Sequence, residues 1–136
     1  MIKNEREYKI SKGWLDKFAA SLETARSRKP KDNNDAERLK VRIAGLESQY
    51  QELQEDLAAY EALKSGKAQS FVVYSLAELP NVLIQARVAR GLTHKELAEK
   101  LGVSEANDYR TAGLHRLITL ADVLDVRLEV KAELVN

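Results

Sequence analysis

The sequence predicts a mainly α-helical protein in two parts, an antiparallel hairpin of coiled-coil character over residues 1–66 and a small helical domain over residues 67–136. Three observations carry that prediction. Alanine, leucine, glutamate, lysine and arginine dominate the 136 residues, with two prolines and six glycines to interrupt them. Apolar residues step through the middle of the first half with an unbroken 3.5-residue repeat. Two helix-start signals follow one another closely in the second half.

In the first half, Ser11 can cap a helix running to Arg26, in which Leu15, Phe18, Leu22 and Ala25 form an apolar seam widened by Trp14 and Ala19. The segment from Arg28 to Asn34 combines Pro30 with turn formers and reverses the chain. A second helix then runs from Asp35 to Lys64, with Leu39, Ile43, Leu46, Tyr50, Leu53, Leu57 and Tyr60 along one stripe. At the α-helical rise the first helix is roughly 24 Å long and the second roughly 45 Å. The shorter helix is therefore expected to cover only the first half of the longer seam. Leu53, Leu57 and Tyr60 are left for the second domain, another copy of the chain or a partner. A hairpin of this kind serves equally well as a bare spacer. The basic run from Arg26 to Lys31 could touch phosphate, although charge at a loop tip is more often simply solvated.

The composition shifts at Lys64-Ser65-Gly66-Lys67, which sets the domain boundary. Beyond it, Phe71 to Tyr74 and the alternating Val126 to Val130 read as two short strands, a small sheet that would have to lie on helices to be stable. Ser75-Leu76-Ala77-Glu78 has the spacing of a capping box. The helix it opens tolerates Pro80 in its first turn, carries Val82, Leu83, Ala86 and Val88, and stops at Gly91. Thr93-His94-Lys95-Glu96 repeats the box and opens a short helix to Leu101 with Leu97 and Ala98 inward. Gly102 permits a left-handed turn and Ser104 a further N-cap. Helix, tight turn, short helix, glycine turn and capped start follow the order of a helix-turn-helix unit.

Charge and composition exclude several function classes. Lysine plus arginine number 22 and aspartate plus glutamate 21, for a net charge of +1. Residues 1–66 hold 13 basic and 12 acidic side chains and residues 67–136 nine of each, so any polyanion binding must come from local placement. Without cysteine, with two histidines, and with neither an HExxH pattern nor a glycine-rich phosphate loop, the chain is expected to be no enzyme and to hold no metal or cofactor. Carboxylate pairs such as Glu96 and Glu99 are ordinary on helix surfaces. No run approaches the roughly 20 apolar residues of a membrane helix, and Met1 to Glu7 has no apolar leader core. A cytoplasmic protein without a membrane partner is expected.

The stretch Leu83 to Ser104, with Arg87, Arg90, Gly91, Leu92, Thr93, Lys95, Glu96, Leu97, Ala98, Glu99, Lys100, Leu101, Gly102 and Val103 in place, resembles the first two helices of the Xre, or Cro/cI-like, helix-turn-helix regulators. Leu114 to Val126 is similar to that family's later core helix, so the resemblance covers residues 76–130. With the hairpin in front, matched only in general character, the whole is similar to HigA-type antitoxins and prophage regulators. The resemblance implies a lambda-repressor-like second domain and a repressor that binds a palindromic operator in double-stranded DNA as a homodimer, with a cognate toxin as a further partner. It implies phosphate contacts at Thr93 and Lys95, and a phosphate or base-edge contact from His94, which stands where the family commonly has glutamine. Arg87 and Arg90 could flank the DNA backbone or be plain surface charges.

The resemblance breaks at the recognition helix. Between Glu105 and Ala106 about seven residues of the family pattern, about two helical turns, are absent. Either the chain itself lacks them or the 136 residues omit a stretch of it, and the intact surroundings favour omission. Ser104, Glu105, Tyr109 and Arg110 are then the surviving base-reading candidates at the edges of the gap. The competing expectation is a protein-interaction module whose degenerate helix-turn-helix binds no DNA.

Overall fold

The computed structural model describes residues 1–101, 109 and 112–136. It is mainly helical, and its chain divides into two compact units, Met1–Ala62 and Leu63–Asn136. The division falls in the last turn of a helix, slightly before the composition shift at Gly66.

In the first unit, α1 spans Glu5–Ser27 and α2 spans Asn33–Lys64. The start of α1 lies well before Ser11. Asn4 is its cap: the Asn4 side chain accepts the Glu7 N–H at 2.8 Å, while the Glu7 carboxylate accepts the Lys3 N–H at 2.8 Å. At the helical rise α1 is about 35 Å long, against about 48 Å for α2. The two run antiparallel. Tyr8 stacks on Tyr60 with ring centroids 5.0 Å apart, and its hydroxyl donates to Glu61 at 2.5 Å, while at the opposite end Arg26 pairs with Glu47 at 2.7 Å.

The longer α1 corrects the expectation that Leu57 and Tyr60 await an external partner. Both are buried, and the Tyr60 hydroxyl donates to Glu5 at 3.2 Å, so α1 reaches the far end of the seam. Leu39 is also buried, and Ile43, Leu46, Tyr50 and Leu53 are half-buried, which follows the predicted stripe. On α1, Leu22 and Ala25 are buried and Leu15 and Phe18 half-buried, whereas Trp14 and Ala19 are exposed and do not widen the seam.

The turn between α1 and α2 is tied by its own charges. Arg28 grips Asp35 with two bonds of 2.9 and 3.0 Å, and Asp35 also accepts the Lys31 N–H at 2.8 Å. The Arg28 guanidinium, then that N–H, hold the Asp35 carboxyl below its ordinary pKa. Asp32 caps α2 by accepting the Asp35 N–H at 2.8 Å. Arg26 and Arg28, two of the four cations in the basic run at this tip, are thus paired to carboxylates.

In the second unit, Ser75 accepts the Ala77 N–H at 3.2 Å and opens a 3-10 turn, Leu76–Glu78, that leads into α3, Leu79–Ala89. Then α4 covers His94–Leu101 and α5 covers Leu114–Val123. Leu79, Val82, Leu83, Ile84, Ala86, Leu97, Tyr109, Leu117, Leu120, Ala121 and Leu124 form one core, in which Leu83 and Leu120 are 0% exposed.

Both α3 and α5 end in the same hydrogen-bonded cap. After α3, Gly91 (φ 71°) donates to Val88 at 2.9 Å and Leu92 to Arg87 at 3.1 Å. After α5, Asp125 (φ 53°) donates to Asp122 at 3.1 Å and Val126 to Ala121 at 2.9 Å. Leu92 and Val126 are thereby turned onto the core.

The expected two-stranded sheet is not formed among the described residues. Phe71 and Val126 pack on the core as single anchors, while Val72, Val73 and Tyr74, the last 96% exposed, point away from it. A lone pair of strands is marginal in water, and these two segments achieve the burial of one residue each without pairing.

Candidate nucleic-acid interface

The elements that would face DNA are α3, the turn after it, and the start of α4. Thr93 caps α4, its hydroxyl accepting the Glu96 N–H at 3.1 Å and its carbonyl the Leu97 N–H at 3.1 Å. Its side chain is therefore spent on the helix, although the neighbouring first-turn N–H groups keep their partial positive charge. Lys95 is exposed one residue inside that end. Of the residues expected to touch phosphate, Lys95 is the one whose charged group is displayed.

His94 turns the other way. It is half-buried, with its Nδ1 2.8 Å from an Arg87 guanidinium nitrogen and its ring stacked on Tyr109 at 5.6 Å with planes 12° apart. Arginine has only donors, so Nδ1 is the acceptor in this contact. One face and one nitrogen of this ring already serve the interior.

Tyr109 is likewise turned inward. It is buried in the core at a left-handed φ of 63°, and its carbonyl accepts the Ala112 N–H at 3.2 Å. An aromatic residue adopts this backbone region at a cost, offset here by burial and by the stack on His94. The other three candidates, Ser104, Glu105 and Arg110, lie outside the described residues.

The two arginines of α3 belong to the scaffold. Arg87 is buried against His94. Arg90 sends Nε to the Leu124 carbonyl and Nη2 to the Asp125 carbonyl, both at 2.9 Å. These carbonyls lie at the negative end of α5, so the guanidinium clamps the C-termini of α3 and α5 together. The helical spacing held this information: Leu83, Ala86, Arg87 and Arg90 share one face of α3.

Glu105 and Ala106, between which the family pattern breaks, lie outside the described residues. Around α4, exposed Lys95 and Lys100 are matched by exposed Glu96 and Glu99. The surface is thus electrically mixed.

The first unit offers a different feature. Trp14, Phe18, Gln49, Glu52, Leu53 and Asp56 line a shallow groove of about 370 Å³, in which Leu53 is the one member of the expected interaction seam that faces open space. Lys17 sits over the Trp14 ring at 4.8 Å, and Asp56 lies 3.7 Å from the amino group of Met1. Trp14, off the heptad stripe, was the sequence signal for this groove.

Among the described residues no cluster of histidine, aspartate or glutamate could hold a metal ion, and no helix is long and apolar enough to cross a membrane. No protein family, no curated protein and no solved structure matches this chain.

Proposed function

We propose that the protein is a DNA-binding regulator of the repressor type, with residues 67–136 as a lambda-repressor-like helix-turn-helix domain and residues 1–66 as an antiparallel coiled-coil hairpin. The observation that carries this reading is the capped, solvent-facing start of α4 with Lys95 beside it, held at a set angle to α3 by the Gly91 turn. A helix end of this kind meets a phosphate with backbone N–H groups and a cation together. A dimer would present two such ends to a palindromic operator. In an antitoxin, the acidic and apolar groove at Trp14, Leu53 and Asp56 would suit a basic toxin.

A second reading is a protein-interaction module that no longer binds DNA. The internal use of Arg87, Arg90, His94 and Tyr109 and the short recognition segment favour it.

The two readings separate on paired substitutions. Lys95→Ala is expected to weaken binding to DNA from upstream of the protein's own gene by about three- to tenfold while leaving the melting temperature unchanged, as loss of one phosphate contact should. His94→Ala is expected to lower the melting temperature, because the ring holds Arg87 and Tyr109. If Lys95→Ala binds as well as the parent, α4 does not face phosphate.

A further inference from the structure

Past the α5 cap the chain carries a pattern that neither the core nor the proposed interface uses. Arg127 pairs with Glu129 at 3.7 Å and Lys131 with Glu133 at 2.6 Å. Residues two apart share a side only where the chain is extended, so these four charges form one face. Leu128, Val130, Ala132 and Leu134 fall on the other, and the three large ones are 39%, 72% and 102% exposed. Among the described residues the segment has no strand partner. An extended, alternating segment with unpaired N–H and C=O groups is a template for another strand.

The charge order selects the partner. We propose that residues 127–133 pair antiparallel with the same residues of a second copy, across a two-fold axis at Val130. In that register Arg127 opposes Glu133 of the partner subunit and Glu129 opposes Lys131 of the partner subunit, so all four cross-strand charge pairs are of opposite sign. The registers centred on Glu129 or Lys131 place like charges opposite one another throughout. A slip of two residues therefore reverses the electrostatics, a slip of one sets charged residues opposite apolar ones, and the sequence specifies its own register. A two-stranded ribbon needs an apolar surface beneath it. Leu114 and Ile118, one turn apart on α5 and 60% and 45% exposed, supply one in the same unit. The ribbon gives the dimer of the proposed function its surface, and it rests on the tail's own pattern, so a strand-paired dimer that ignores DNA leaves it intact.

Sedimentation velocity on the full chain tests the ribbon. The parent is expected to sediment as a dimer, and Val130→Pro, which breaks the ladder at the axis, as a monomer with unchanged melting. Arg127→Glu with Lys131→Glu makes the charged face wholly acidic, and Glu129→Lys with Glu133→Lys makes it wholly basic. Each double variant alone is expected to raise the dimer dissociation constant roughly a hundredfold, whereas their equimolar mixture restores dimers of parental affinity. A monomeric parent, a dimer insensitive to these changes, or two double variants that fail to pair with each other would overturn the proposal.

Discussion

Leu120→Ala is expected to destabilise the second unit by about 2–5 kcal/mol, the range for removing a buried leucine side chain and leaving part of its volume empty. Leu120 sits on α5 in the core shared with α3 and α4 and exposes none of its surface, so the neighbouring helices must either collapse or tolerate a void. Small domains carry only about 5–15 kcal/mol in total, so the variant should lose much of its margin. Hydrogen exchange read over residues 79–89 and 114–123 checks this. A loss of protection equivalent to less than about 1 kcal/mol would show that α5 does not close the core.

The second large effect falls in the hairpin. Tyr60→Ala removes a buried ring, its stack on Tyr8 and its bond to Glu5, for an expected cost of about 3–5 kcal/mol. Tyr60→Phe keeps the stack and is expected to cost about 1 kcal/mol or less. Trp14 is the sole tryptophan and belongs to this unit, so denaturation followed by its fluorescence reports the hairpin directly. If Tyr60→Ala leaves that transition in place, α1 does not cover the end of the α2 seam.

The hairpin was legible where periodicity repeats itself. Seven apolar residues from Leu39 to Tyr60 overdetermine one stripe, whereas the start of α1 rests on a single cap, which is Asn4 and not Ser11. Asn4 and Glu7 have the capping-box spacing, so the correct start could have been found. Moving it by two turns changed the meaning of Leu57 and Tyr60 from exposed to covered.

In the second unit the helices were legible because Thr93, Gly91 and Leu97 each act locally, through a cap, a turn and a face. Side-chain direction was not. A basic residue beside a helix end looks the same in sequence whether it reaches solvent, as Lys95 does, or a carbonyl several dozen residues away, as Arg90 does. The segment Phe71–Tyr74 failed as a strand for a related reason: pairing is a non-local event, and alternation alone does not supply the partner.

The most direct measurement of the central claim is affinity for the upstream DNA fragment and for an unrelated fragment of equal length, followed as salt rises from about 50 to 200 mM. A sequence-specific regulator predicts tighter binding to the upstream fragment, by at least about a thousandfold, with affinity for both falling steeply as salt rises. Equal affinity for the two fragments, or no binding by the folded protein at the lowest salt, would contradict it.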